Sequence, residues 1–369
     1  MSLRERIIWE IEQRGPIPFS RYMEMCLYEP EEGYYSRPQE KFGRAGDFYT
    51  SSDVHAVFGR LLARQFEEMW RRLGAPARLE LVELGPGCGL FARDVLDWSR
   101  KKLPQFFAAL DCRLVESSPS LRRGLEERLG EYVAQKKVSV AVDMDESAPA
   151  QHAIVFANEF FDALPVEVLD ARGELRVGAH EGRFAEMFVP PTREVLECLD
   201  LYGVHPEDGE RVEAGLEAQR WVSRMARIAE RAFFVLIDYG YTREELLAGR
   251  HRGTVMAYRR HTASANPYDA PGEQDITAHV NFTALSGAAR EAGLDVLGLV
   301  TQAQFLMGIG EANQFADAFE DCRMPQERAK VALQLKHLVS PAGMGESFQV
   351  LVLGKGVTKE GIRGLAFGR

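Results

Sequence analysis

The chain has 369 residues, 46% of them apolar, and a net charge of −10 at neutral pH. That length and apolar content support one large unit with additions and exclude wholesale disorder. The acidic balance argues against a protein that lives on nucleic-acid phosphates or inserts into a membrane, and no apolar run approaches the roughly 20 residues of a membrane helix.

Leu3, Ile7, Ile8 and Ile11 form a helical stripe that stops at Gly15-Pro16. Phe19, Tyr22, Met23, Cys26 and Leu27 mark a second amphipathic run. The stretch from Pro30 to Asp53 is rich in turn formers and aromatics, and a long loop of that kind is usually functional. Helix resumes near Asp53, with Val57, Phe58, Leu61, Leu62, Phe66 and Met69 on one face. Residues 1–75 therefore read as an N-terminal helical extension carrying a lid-like loop.

Leu79 to Leu84 is the short apolar run of a strand covered on both faces. Gly85, Gly87 and Gly89 follow, and then a helix marked by Phe91, Val95 and Trp98. Strands at 112–116, 138–143 and 153–158 alternate with a helix marked by Leu121, Leu125 and Leu129. The βαβα series predicts an α/β fold, a parallel sheet with helices on both faces, and places half of the core at 76–165. Val166 to Val189 alternates around glycines, which suggests a small β-rich insertion bounded at 166–210. The second half of the core spans 211–310. It begins with a long helix marked by Val212, Leu216, Trp221, Met225 and Ile228, followed by a buried strand at 232–238. A glycine-rich polar segment, 249–281, precedes a helix at 284–292 and a strand at 294–300. Residues 311–342 read as a helical insertion. The last strand, Phe348 to Leu353, and a tail occupy 343–369.

In open parallel sheets, ligands bind beyond the carboxyl ends of the strands. Here those ends carry Glu83, Glu116, Asp143, Asn158 and Asp238. The glycine spacing is G-x-G-x-G rather than the G-x-G-x-x-G of a pyrophosphate site, and Leu90 stands where a third Rossmann glycine would. Glu83 would repel a pyrophosphate but suits the amino group of S-adenosylmethionine (SAM). Glu116 is placed to accept from ribose hydroxyls, which supports a nucleoside ligand without choosing one. Asp143 either accepts from an adenine amine or belongs to a charged loop with Asp145 and Glu146.

The segment Asn158-Glu159-Phe160-Phe161-Asp162 puts two aromatics and two acids directly after a buried strand. In a methyltransferase this position faces the methyl group, and Glu159 would offer a charge to a cationic acceptor. Asp162 either shares that task or caps a helix. His279 is a candidate base near neutrality, or a satisfied structural histidine. Asp47 and Thr50 are expected to fold over the cofactor. The five cysteines include no C-x-x-C pair and the eight histidines no metal-ligand spacing, so no metal site and a reducing compartment are expected.

Several longer motifs carry a family resemblance. Phe42-Gly43-Arg44-Ala45-Gly46-Asp47-Phe48, Glu83-Leu84-Gly85-Pro86-Gly87, Asn158 through Pro165, Leu236 through Tyr241, and Asp275-Ile276-Thr277-Ala278-His279-Val280 resemble the MidA family. The resemblance runs from about Arg14 to Lys355. It implies a class I SAM methyltransferase (Rossmann-like) with a mostly parallel seven-stranded sheet and SAM as cofactor. Glu83, Gly85, Gly87 and Gly89 become the SAM loop and Glu116 the ribose acid. It further implies arginine methylation on a protein partner, a subunit of respiratory complex I for the mitochondrial members. Cys88 departs from the arginine that many members carry. The N-terminus, with Glu5, Glu10 and Glu12 and no presequence, fits a bacterial cytoplasmic member. A SAM enzyme for another acceptor and a non-catalytic assembly factor remain alternatives, and a homodimer is left open.

Overall fold

Ser2 opens the first helix with a capping box: its Oγ accepts from the Glu5 amide at 3.3 Å, and its own amide donates to Glu5 Oε2 at 2.8 Å. This helix, α1 (Leu3–Arg14), buries Leu3, Ile7 and Ile11, as the stripe requires, and stops at Gly15 with φ +81°. The computed structural model describes residues 1–37, 56–146, 148–248, 251–259 and 262–368. The loop at 42–53, with Asp47 and Thr50, lies outside the described residues. After α1, the two-residue β1 (Ile17–Pro18) leads into α2 (Phe19–Tyr28), which buries the predicted Phe19, Tyr22, Met23, Cys26 and Leu27. α3 (Ala56–Arg72) follows and packs Phe58, Leu62 and Phe66 into the central core.

Seven strands form the path of the central sheet. They are β2 (Leu79–Leu84), β3 (Leu110–Val115), β4 (Val138–Ala141), β5 (Ala150–Asn158), β10 (Ala229–Tyr241), β15 (Asp295–Thr301) and β16 (Phe348–Lys355), in the order β15-β16-β10-β5-β2-β3-β4. Pairing from β10 through β4 is parallel; β16 runs antiparallel to both of its neighbours. A short β14 (Val280–Asn281) adds parallel to the end of β10. The mostly parallel sheet is as the sequence predicts.

Side chains alternate across it. Phe233, Val235 and Ile237 of β10 join the core shared with α3 and α4 (Leu90–Lys102), while Phe234 and Leu236 join the opposite one. The second core is shared with α7 (Leu216–Met225) and α8 (Phe282–Glu291), which follow α5 (Pro119–Arg128) and α6 (Arg193–Tyr202) in the chain. All five of these β10 side chains are 0% exposed. Burying a side chain of that size is worth about 1.5–3 kcal/mol. The sheet is thereby held rigid where its carboxyl edge must position a site.

The insertion is larger than the sequence suggests. β6 (Glu167–Asp170), β7 (Gly173–His180) and β8 (Arg183–Val189) are antiparallel as expected, but β9 (Arg211–Ala214) and the N-terminal β1 complete the same sheet, in the order β1-β7-β6-β9 with β8 on β7. The predicted long helix from Val212 is therefore two elements. Val212 packs with Leu169, Val195 and Leu199 as a strand residue, and Gly215 separates it from α7. A third small sheet occupies the glycine-rich segment: β11 (Met256–Arg259) pairs with β12 (Thr262–Ser264) and β13 (Asp275–Thr277). Its Ala257 and Ile276 pack with Leu3, Tyr22 and Val177, so the N-terminal helices share a core with β strands.

Candidate active site

The carboxyl ends of β2, β3 and β5 open onto a cleft of about 910 Å³. The turn between β2 and α4 forms one wall. Gly85, Gly87 and Gly89 all hold positive φ, at +62°, +52° and +77°, where a side chain is strained. A Cβ on Gly85 would lie 2.9 Å from Phe160 Cδ2, so this glycine is also needed for close approach. Gly85, Gly87 and Cys88 line the cleft. Gly89 does not, contrary to the sequence reading. A Cβ there would meet Leu125 Cδ2 of α5 at 2.6 Å, so Gly89 serves helix packing instead. It also stands at the N-cap of α4. The first turn of that helix, with Leu90 and Phe91, borders the cleft with its unpaired amides and positive dipole end.

Four acids and an amide line the same space. Glu83, at the end of β2, is 6% exposed, and burial pushes its carboxyl up to about 8. At pH 7 it is mostly protonated until a cation is placed beside it. Glu116 follows β3; its Oε1 accepts from the Ser118 amide at 2.8 Å, and Arg122 Nη1 donates to the Glu116 carbonyl at 2.8 Å. The turn is thus fixed with the carboxylate on the cleft. Asp143 is bound by Arg224 and accepts from the Asp145 amide at 2.9 Å, so a guanidinium already answers its charge. Asn158 ends β5, gives its Nδ2 hydrogen to Glu159 Oε1 at 3.0 Å, and keeps a buried Oδ1 without a hydrogen-bond partner. Such an orphan acceptor suits a ligand that brings a donor.

Glu159 also lines the cleft, with a backbone φ of +50°. That left-handed conformation costs a non-glycine residue roughly 1–2 kcal/mol. Directly behind it, Asp238 Oδ2 accepts from the amides of Phe160, Phe161 and Asp162 at 3.2, 2.9 and 3.2 Å. Asp238 Oδ1 accepts from the Tyr239 amide at 2.9 Å.

Asp162 and His279 are not where catalysis would need them. Neither lines the cleft. Phe160 takes the cleft side of the loop, packed edge-on to Trp221 at 4.9 Å, and the chain then turns inward. Asp162 is 6% exposed, and its Oδ2 accepts from the Tyr239 hydroxyl at 2.6 Å. Burial pushes its carboxyl up to about 6. His279 is exposed, outside the cleft lining, and stands edge-on against Tyr239, centroids 5.2 Å apart. Asp162 belongs to the support behind the loop, and His279 to the surface beside Tyr239.

Other residues reach the cleft that sequence reasoning did not single out as ligands. Tyr28 and Tyr35 come from the N-terminal extension and stack at 5.6 Å. The Tyr28 hydroxyl donates to the Ala163 carbonyl at 2.9 Å and that of Tyr35 to Asp275 Oδ1 at 2.8 Å. The tyrosine pair in Gly33-Tyr34-Tyr35 was the available signal. Further out the lining includes Glu24, Glu167, Glu174, Glu194 and Glu217. The lining arginines already have partners: Arg21 with Glu10 at 3.1 Å, Arg176 with Glu174 at 2.6 Å, and Arg220 with Glu194 at 2.8 Å. The cleft is therefore negative overall and suits cationic ligands. Among the described residues no group of three or more His, Cys, Asp or Glu could hold a metal ion, and no helix is long and apolar enough to cross a membrane.

These features fit SAM: a glycine turn that a Cβ would fill, a buried acid for an ammonium, a positioned acid for ribose, and an orphan acceptor. Comparison with known proteins points the same way. Residues 61–300 match the family described as "Putative S-adenosyl-L-methionine-dependent methyltransferase". The chain is 31% identical to the mitochondrial protein arginine methyltransferase NDUFAF7 homolog of Drosophila melanogaster, over 96% of this chain and 85% of that one. It is 27% identical to the human mitochondrial protein arginine methyltransferase NDUFAF7, over 94% and 82%. A crystal structure of a COG1565 superfamily member from Burkholderia thailandensis, bound to S-adenosyl-homocysteine, superposes with a TM-score of 0.85 at 30% identity, covering 99% of this chain and 95% of that one.

Proposed function

We propose that this chain, which belongs to the family of S-adenosyl-L-methionine-dependent methyltransferases, methylates the guanidinium of an arginine on a protein partner. Its cofactor is SAM, as in the family and as the S-adenosyl-homocysteine of the Burkholderia relative indicates. Gly85 and Gly87 give the cofactor access to the backbone, Glu83 takes its amino group, and Glu116 its ribose. Asn158 supplies an acceptor between them. Asp143, held by Arg224, borders the adenine side. When bound, SAM supplies an electrophilic methyl group on a sulfonium.

The observation that carries the arginine reading is Glu159, an acid facing a cleft whose arginines are already paired. A guanidinium is a poor nucleophile, because its lone pairs are delocalised and it stays protonated below about pH 12. Glu159 is placed to orient it by directed hydrogen bonds and to draw its positive charge away from the nitrogen that is methylated. Tyr28 and Tyr35 offer a flat wall to the same planar group. The names of the curated relatives support a protein arginine as acceptor. The family resemblance favours a respiratory-complex subunit as the partner. The free state of all five cysteines suits a cytoplasmic setting.

Incubating the protein with labelled SAM and a cell lysate, then locating the label by mass spectrometry, tests the reading. Label on arginine is expected; label on lysine, a carboxylate or a small molecule refutes it. Glu159→Gln should bind SAM normally and lose transfer by roughly a hundredfold, the scale of one preorganised electrostatic contact. Full activity in that variant removes Glu159 from the site.

A further inference from the structure

We infer that Asp238 is a positioning residue for methyl transfer, acting by clamping the loop that aims Glu159; this rests on the proposed role of Glu159. Asp238 lies in β10 just past its last pairing with β5, is 1% exposed and does not line the cleft. Its carboxylate nevertheless organises the backbone next to the reacting centre. Three consecutive amides, those of Phe160, Phe161 and Asp162, converge on Oδ2 at 3.2, 2.9 and 3.2 Å. The Tyr239 amide occupies Oδ1 at 2.9 Å. Burial, with Asp162 and Glu159 nearby, pushes the Asp238 carboxyl well up, and the converging N–H donors oppose that by favouring the carboxylate. Three successive amides turned toward one carboxyl oxygen form a concave nest, a backbone shape that an isolated loop does not hold.

The strain sits one residue upstream. Glu159 has φ +50° without being glycine, and its own amide donates to the Ile237 carbonyl at 2.9 Å as the last rung toward β10. The chain thus leaves β5 at Asn158, opposite Ile237, turns at Glu159, and is caught by the next residue of β10, Asp238. A strained conformation persists only where its surroundings over-determine it. Here the three hydrogen bonds from loop amides to one buried carboxyl oxygen do so. The neutral isostere cannot replace all the bonds to that carboxyl. An asparagine oxygen that keeps the three loop amides turns its NH₂ against the Tyr239 N–H, donor against donor, and meets the three amides with a neutral acceptor in place of a carboxyl that can ionise to them. Without the clamp, Glu159 relaxes toward extended backbone and its carboxylate leaves the acceptor.

The test uses the full chain with Asp238→Asn, Glu159→Gln and the double variant. Asp238→Asn should keep SAM affinity within about twofold and the protein-substrate KM within about threefold, because it touches neither ligand, while kcat falls at least about tenfold. In the Glu159→Gln background the same change should cost no further kcat, since the group it aims is gone. Hydrogen exchange at the Phe160, Phe161 and Asp162 amides, read by NMR, should be slow in the unmodified protein and markedly faster in Asp238→Asn. Unchanged kcat in Asp238→Asn, or multiplicative losses in the double variant, overturns the inference while leaving the role of Glu159 standing. Full activity in Glu159→Gln overturns the reading beneath it. Should Asp238→Asn fail to fold, exchange of those three amides in the unmodified protein at the rate of an open loop would overturn the clamp by itself.

Discussion

Replacing Glu83 by glutamine should remove a pH dependence that the buried carboxyl writes into cofactor affinity. Burial alone raises Glu83 from an ordinary 4.5 to about 8. In the empty cleft it is a neutral acid at pH 6, and only about one molecule in a hundred carries the carboxylate that an ammonium needs. At pH 7.5 the share is about one in four. The amino group of SAM stays largely protonated until about pH 7.7–8.0, the usual α-amino range. Affinity should therefore tighten on the order of twentyfold between pH 6 and 7.5, then level off as the ammonium itself titrates. Titration calorimetry in buffers of differing ionisation enthalpy measures both the affinity and the proton released, which should be close to one at pH 6. The sign is fixed by linkage. A carboxyl whose folded pKa lies above its unfolded one favours the folded protein below about pH 4.5, and that advantage disappears as pH rises through about 8. Glu83→Gln should thus flatten the affinity profile and raise the melting temperature of the cofactor-free protein above pH 8. A pH-independent affinity in the unaltered protein, or proton uptake on binding, would refute the assignment of Glu83 to the ammonium.

Three further outcomes follow from the geometry. Glu116→Ala should weaken SAM binding by roughly one to two decades, the loss of charge-assisted hydrogen bonds worth about 1.5–3 kcal/mol; an unchanged dissociation constant would make it a structural acid that only holds Ser118. Gly85→Val places a branched side chain at φ +62° against Phe160, so the protein should still fold, judged by circular dichroism, but show no heat of binding with SAM. His279→Ala should leave kcat within about twofold and the pH–rate profile unmoved, because the ring does not line the cleft; loss of an ionisation from that profile would restore it as a base.

What was legible in the sequence is what local chemistry dictates. The apolar run of β2, the acid that closes it and the glycines after it must form a strand and a tight turn, because torsion and burial leave little else. Glu83, Gly85, Gly87, Glu116, Asp143, Asn158 and Glu159 accordingly reach one cleft. Direction was not legible. Gly89 looks equivalent to Gly85 and Gly87, yet it faces α5. Asp162 is three residues from Glu159, and the amides caught by Asp238 turn it inward. Elements completed by distant partners were also hidden. Val212 and Leu216 satisfy a helical period, but the core that receives Val212 is built by β6 and α6. Trp221 arrives from α7, more than 130 residues beyond the glycine turn, and nothing near it in the sequence marks it as a neighbour of that turn.

The position of β16 has a consequence for how this chain is made. This strand lies between β15 and β10, although both precede it in sequence. On the ribosome, β10 can pair with β5 as soon as it emerges, but its other edge, along Phe233 to Ile237, waits for Phe348–Lys355. For that interval the nascent sheet displays an unpaired and strongly apolar margin, the kind of template that recruits other chains. A product cut short before residue 348 would keep the glycine turn and the cleft acids and still leave that margin bare. Such fragments should be recovered as aggregates or chaperone clients rather than as a weak version of the enzyme.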